Sequence, residues 1–68
     1  MKEYAFLKEP VTRDIHAGTI HNMLKGGLPN LVAVSLVTHT DPWVVMVRTS
    51  VPMSREEREF VESQIARA

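Results

Sequence analysis

Apolar positions along this chain follow two different periods. Leu31 to Thr38 (LVAVSLVT) and Trp43 to Thr49 (WVVMVRT) are nearly continuous runs rich in β-branched residues. Such runs, bounded by turn formers, predict strands. Between them lies His39-Thr-Asp-Pro. Centring the turn on Thr40-Asp41 sets Val37 opposite Val44 and Val34 opposite Val47. The pattern predicts an antiparallel hairpin with a loop of about four residues. Asp41 and Pro42 have a ready role there, Asp as an acceptor of backbone bonds and Pro as a fixed φ. Glu3 to Lys8 (EYAFLK) alternates and carries two aromatics, and Pro10 stops it. It predicts a short strand.

Two segments carry the helical period instead. Ala17, Ile20, Met23 and Leu24 fall on one face at 100° per residue, whereas Val11 and Ile15 do not. Thr12 and Asp14 are N-cap candidates. Gly18 weakens the interior, so the secure part is the second half. Gly26-Gly27 is expected to supply a left-handed residue after the last turn, with Leu28 folding back and Pro29 forbidding continuation. The second helix is signalled more fully. Ser54 followed by Glu57 matches a capping box. Glu56, Glu57 and Glu59 stand near the positive end of the helix dipole and Arg67 near the negative end. Phe60, Val61, Ile65 and Ala68 form a narrow apolar stripe with Gln64 on its edge.

The order is β-α-β-β-α, an α+β fold with a three-stranded sheet, an antiparallel hairpin from its second and third strands, and two helices. A right-handed crossover is expected to lay the first strand parallel to a neighbour. The topology is that of a truncated ferredoxin-like arrangement, a split βαβ unit without its last strand. Both faces of the hairpin are largely apolar. Val32, Val34 and Leu36 alternate with Leu31, Ala33, Ser35 and Val37, and Val44 and Met46 with Trp43, Val45 and Val47. A sheet with one wet face should alternate apolar and polar residues. Leaving five or six aliphatic side chains exposed forgoes on the order of 10 kcal/mol of burial, comparable to the stability of a whole domain. The helices must therefore cover opposite faces, or one face must pack on a second copy or on another protein. An unpaired sheet edge offers a further site of association.

Composition narrows the rest. Sixty-eight residues make one domain, residues 1–68, of a size that often needs a staple or a partner. There is no cysteine, which removes disulfides and thiolate metal sites and fits a cytoplasmic location. Eight basic residues balance eight acidic ones, so no global field attracts phosphate backbones or anionic lipid. No apolar run reaches the length of about 20 residues that a membrane helix needs.

The chemistry-bearing residues do not assemble into a motif. His16 and His21 are five apart, a spacing that does not chelate on a helix. His39 and Asp41 suggest half of a triad, with Thr40, Ser35 or Ser50 as a nominal nucleophile. Neighbours two apart rarely reach the required geometry, and no nucleophile elbow is present. Gly26-Gly27 is followed by Leu-Pro rather than by a helix, which excludes a phosphate loop. Tyr4, Phe6 and Trp43 could stack bases, with Lys8 and Arg48 beside them, but basic runs are missing.

No catalytic, cofactor-binding or metal-ligating residue is assigned, and no cofactor is expected. The chain is read as a small, non-enzymatic protein–protein interaction module of bacterial or phage type. It would act through an apolar sheet face or open edge, with itself or a larger protein as partner and without membrane or nucleic acid. The interface candidates are Trp43, Val45, Met46, Val34, Leu36, Tyr4, Phe6 and His39. Two alternatives are an oligomeric enzyme subunit with an inter-subunit site at His39 and Asp41, and a weak nucleic-acid-binding sheet.

Overall fold

The three apolar runs pair as one sheet. The computed structural model describes residues 1–68 and contains β1 (Lys2–Lys8), α1 (Ala17–Leu24), β2 (Leu31–Val37), β3 (Trp43–Thr49) and α2 (Arg55–Arg67). The α+β architecture and element order are those the sequence pattern predicts. The β2–β3 hairpin has the expected register, Val37 opposite Val44 and Val34 opposite Val47. A Thr40 hydroxyl bond to the Pro42 carbonyl, 3.0 Å, lies within the turn, and the Asp41–Pro42 peptide is cis.

Strand order corrects one expectation. The sheet runs β1-β3-β2, with β3 antiparallel to both neighbours. The strand beside β1 is therefore antiparallel to it. β1 and β2 do run parallel to each other, but β3 lies between them, so the crossover through α1 spans one strand. β1 and β3 pair residue for residue from Lys2–Thr49 to Lys8–Trp43. The β2–β3 ladder is interrupted by a bulge between Leu31 and Ala33.

Both helices pack on the same side of the sheet. Phe6, Val45 and Val47 share one cluster with Ile20 and Leu24 of α1, Val61 and Ile65 of α2, and Leu28. Tyr4, Val34 and Leu36 pack against that cluster from the same face. None of the residues on the opposite face is fully buried. The stripe expected on α2 is the one that docks, with Val61, Ile65 and Ala68 buried and Phe60 half-buried.

The helix ends differ in kind. α2 begins with the capping box: the Glu57 amide donates to the Ser54 hydroxyl at 3.2 Å, and the Ser54 amide to the Glu57 carboxylate at 2.8 Å. α1 begins later than Thr12 or Asp14 would place it. Its N-cap is His16, in extended conformation, with no side-chain cap bond. The cause is visible in the period: Ile15, which falls off the helical face, packs against the core from the segment before the helix. The glycines after α1 also act otherwise than expected. No residue has a positive φ, so neither Gly26 nor Gly27 is a left-handed cap. Gly27 is instead a point of close approach, because a Cβ there would lie 2.6 Å from the Phe60 ring of α2.

Candidate functional site

With both helices on one side, the sheet keeps an uncovered outer face. The register sorts its residues into three rows. Glu3, Arg48 and Ala33 form a polar row; Ala5, Met46 and Ser35 form the middle; Leu7, Val44 and Val37 form an apolar row at the other end. Leu7 is 72% exposed, while Val37, Val44 and Met46 are half-buried by their strand neighbours. Glu3 and Arg48 form an ion pair across the strands, with Arg48 Nε donating to Glu3 Oε2 at 3.1 Å. A shallow hollow of about 70 Å³ lies between this pair and Ala33, Ser35 and Met46.

A larger groove, about 820 Å³, runs between the open edge of β1 and α2. Its geometry follows from the way β1 holds the helix at both ends. The Tyr4 hydroxyl accepts from the Met53 amide at 2.9 Å, just before α2 begins. Lys8, only 5% exposed, donates from Nζ to the carbonyls of Ala68 at 3.0 Å and Ile65 at 3.3 Å, where α2 ends. The last carbonyls of a helix are short of partners, Ile65 having only the Ala68 amide at 3.2 Å, and a cation there is favoured by the negative end of the dipole. Burial, with the nearby Arg13 guanidinium adding to it, lowers the Lys8 pKa from its ordinary 10.5. The Arg58 guanidinium carbon sits 5.5 Å from the centre of the Tyr4 ring, a cation–π contact. Arg13 donates to the Arg67 carbonyl at 3.3 Å. The groove is thus lined by Lys8, Arg13, Arg58 and Arg67 against Glu9 and Glu62. That is a local cationic excess in a chain with no net charge.

The eight interface candidates do not form one surface. Val45 and Phe6 are buried in the core, and Tyr4, Val34 and Leu36 pack on it beneath the helices. Trp43 shares their face, opposite Lys8 at the rim. His39 is exposed in the hairpin loop. Met46 is the candidate that lies on the outer face. Its neighbours there are Leu7, Val37 and Val44, which the sequence does not distinguish, because an apolar pattern on both faces does not say which face the helices take. One signal did mark it: Glu3, Ser35 and Arg48, the polar residues of the three strand interiors, all fall on that face.

The residues with chemical potential stay apart. His16 and His39 are exposed, His21 is half-buried, and Asp41, Ser35 and Ser50 are exposed. No three His, Asp or Glu side chains stand close enough to hold a metal ion. No helix is long and apolar enough to cross a membrane. Searches against protein-family models, curated proteins and solved structures find no match to this chain.

Proposed function

We propose that this chain is a non-catalytic association module that works as a homodimer, two copies stacking through the outer faces of their sheets. The observation that carries this reading is the uncovered face itself. It holds Leu7, Val37, Val44 and Met46, and no element of the chain lies over it. Full burial of each such side chain is worth about 1.5–3 kcal/mol, so covering the partly exposed set gains several kcal/mol. Sheets stack readily face to face, about 10 Å apart.

A second copy suits this face for a reason of charge. A two-fold contact sets a surface against itself, so a patch of one sign repels its image. This patch carries one cation and one anion, Arg48 and Glu3, already paired and confined to one end. They can stay at the rim while the apolar rows meet. Three strands of seven residues give a footprint of about 14 by 23 Å. That is about 320 Å² a side, well below the roughly 800 Å² of a standard specific interface, which predicts a weak, reversible dimer rather than a permanent one.

Met46→Lys tests the proposal. Met46 sits at the centre of the face and is half-exposed, so a lysine there can reach water without disturbing the core. Sedimentation velocity from about 1 μM to about 1 mM should show a monomer–dimer equilibrium for the native chain. The variant should remain monomeric with an unchanged circular dichroism spectrum. A native chain that is monomeric throughout overturns the homodimer. A variant that dimerises as well as the native chain moves the contact to another surface.

A further inference from the structure

We propose that the groove beside β1 receives an extended, carboxylate-bearing peptide segment of a partner protein, which joins the sheet as a fourth strand. This surface meets the outer face at Ala5 and Leu7, which line both, and the proposal does not depend on the dimer.

The two edges of the sheet are not equivalent. β2 carries the bulge between Leu31 and Ala33, a device that breaks the template for pairing. β1 is regular over seven residues and pairs only with β3. No backbone group of β1 bonds outside that ladder. Every second residue of an edge strand directs its N–H and C=O outward, so β1 presents a regular row of unmet donors and acceptors. Added strands dock on such rows through main-chain bonds and draw specificity from the side chains of alternate residues.

The groove supplies the side-chain half of that recognition. Ala5 to Glu9 form its sheet wall, and Arg58, Glu62, Ile65 and Ala66 of α2 form the other. An extended segment of four residues spans about 13 Å, and the groove follows β1 over that many residues, Ala5 to Lys8. Its floor is apolar at Phe6 and Ile65. Arg13, Arg58 and Arg67 stand around it and attract carboxylates, whereas the carboxylates of Glu9 and Glu62 only partly offset them. Lys8 is already engaged with the α2 carbonyls and lends field rather than a free donor.

A second copy of β1 fits this edge poorly. The two-fold antiparallel register that uses all seven residues is centred on Ala5 and sets Lys2 opposite Lys8. The register centred on Phe6 sets Glu3 opposite Glu9. Like charges directly opposite are destabilising in a sheet. The two registers that use most of the strand are thus disfavoured, and the cationic lining selects an acidic segment of a partner as the occupant.

The test titrates isotope-labelled chain, as Met46→Lys to keep it monomeric, with a synthetic peptide of alternating valine and glutamate. Amide resonances of Ala5 to Glu9 should shift, and those of Ala33, Ser35 and Val44 should not. A peptide N-methylated at alternate residues should lose binding, since the main-chain bonds are blocked. A valine–lysine peptide should not bind. The double variant Arg13→Gln, Arg58→Gln should weaken the acidic peptide about three- to tenfold, the scale of two exposed cations. Its circular dichroism should match the parent. Failure of the acidic peptide to bind, equal binding by the N-methylated or lysine peptide, or complete displacement by citrate each overturns the proposal.

Discussion

Two adjacent glycines show how much depends on what a single Cβ would meet. At Gly26 it would meet nothing within 4 Å, and the backbone there is not left-handed. Gly26→Ala should stabilise the chain by about 0.4–1 kcal/mol, through lost freedom of the unfolded state. At Gly27 the same atom would strike the Phe60 ring, so Gly27→Ala should cost about 1–3 kcal/mol. Urea denaturation of both variants measures the pair, and Phe60→Leu in the Gly27→Ala background should recover part of the loss. In sequence the two residues are indistinguishable, because a glycine kept for closeness and one kept for a left-handed turn read alike. Lys8 was equally opaque. As the last residue of a short strand it looks like an exposed charge, yet it caps a helix 57 residues away in sequence. Its lowered pKa gives it a signature. The unfolded chain holds the proton more tightly than the folded one, so stability rises as pH climbs from the lowered value toward 10.5. Lys8→Met lacks this contribution. The difference in stability between native and variant chains should therefore shift in favour of the native chain as the pH of the denaturation series rises through that interval.

The two helices divide the task of nucleation unequally. α2 has thirteen residues, a complete capping box and acidic residues in its first turn. α1 has eight residues and neither a cap bond nor an acid in its first turn. Its stability comes from Ile20 and Leu24 in the core. His16 already has the extended backbone that an N-cap needs, so His16→Asp should add about 1 kcal/mol. Ser54→Ala should remove about the same amount. Thermal unfolding of the two variants should move in opposite directions, and a destabilised His16→Asp would mean that the ring holds the entry to α1. At this scale the sequence was largely legible. β3, the hairpin register and the α2 cap follow from local periods and caps. The start of α1 and the neighbour of β1 did not, because one depends on Ile15 reaching the core and the other on a pairing about forty residues distant.

For the whole molecule, the decisive fact is that both helices share one side of the sheet. The dimer reading makes stability depend on concentration. The urea midpoint should rise as the native chain is concentrated, and it should not move for Met46→Lys. A midpoint independent of concentration in both would count against the dimer. An apolar pattern on both faces was legible as a need for cover, and only the polar residues Glu3, Ser35 and Arg48 marked the face left open. The choice between them rests on where the two helices dock, which the period of their own stripes does not state. The strand order carries a further consequence for synthesis. β3 is the common partner of β1 and β2, yet it is the fourth of the five elements to leave the ribosome. Until Trp43–Thr49 has emerged, neither earlier strand can pair as it does in the finished sheet. The nascent chain then carries LVAVSLV as an unpaired, uncharged β-forming segment, the kind that aggregates when exposed. Arrival of β3 closes both ladders together, so the vulnerable interval in this protein's life ends with a single strand.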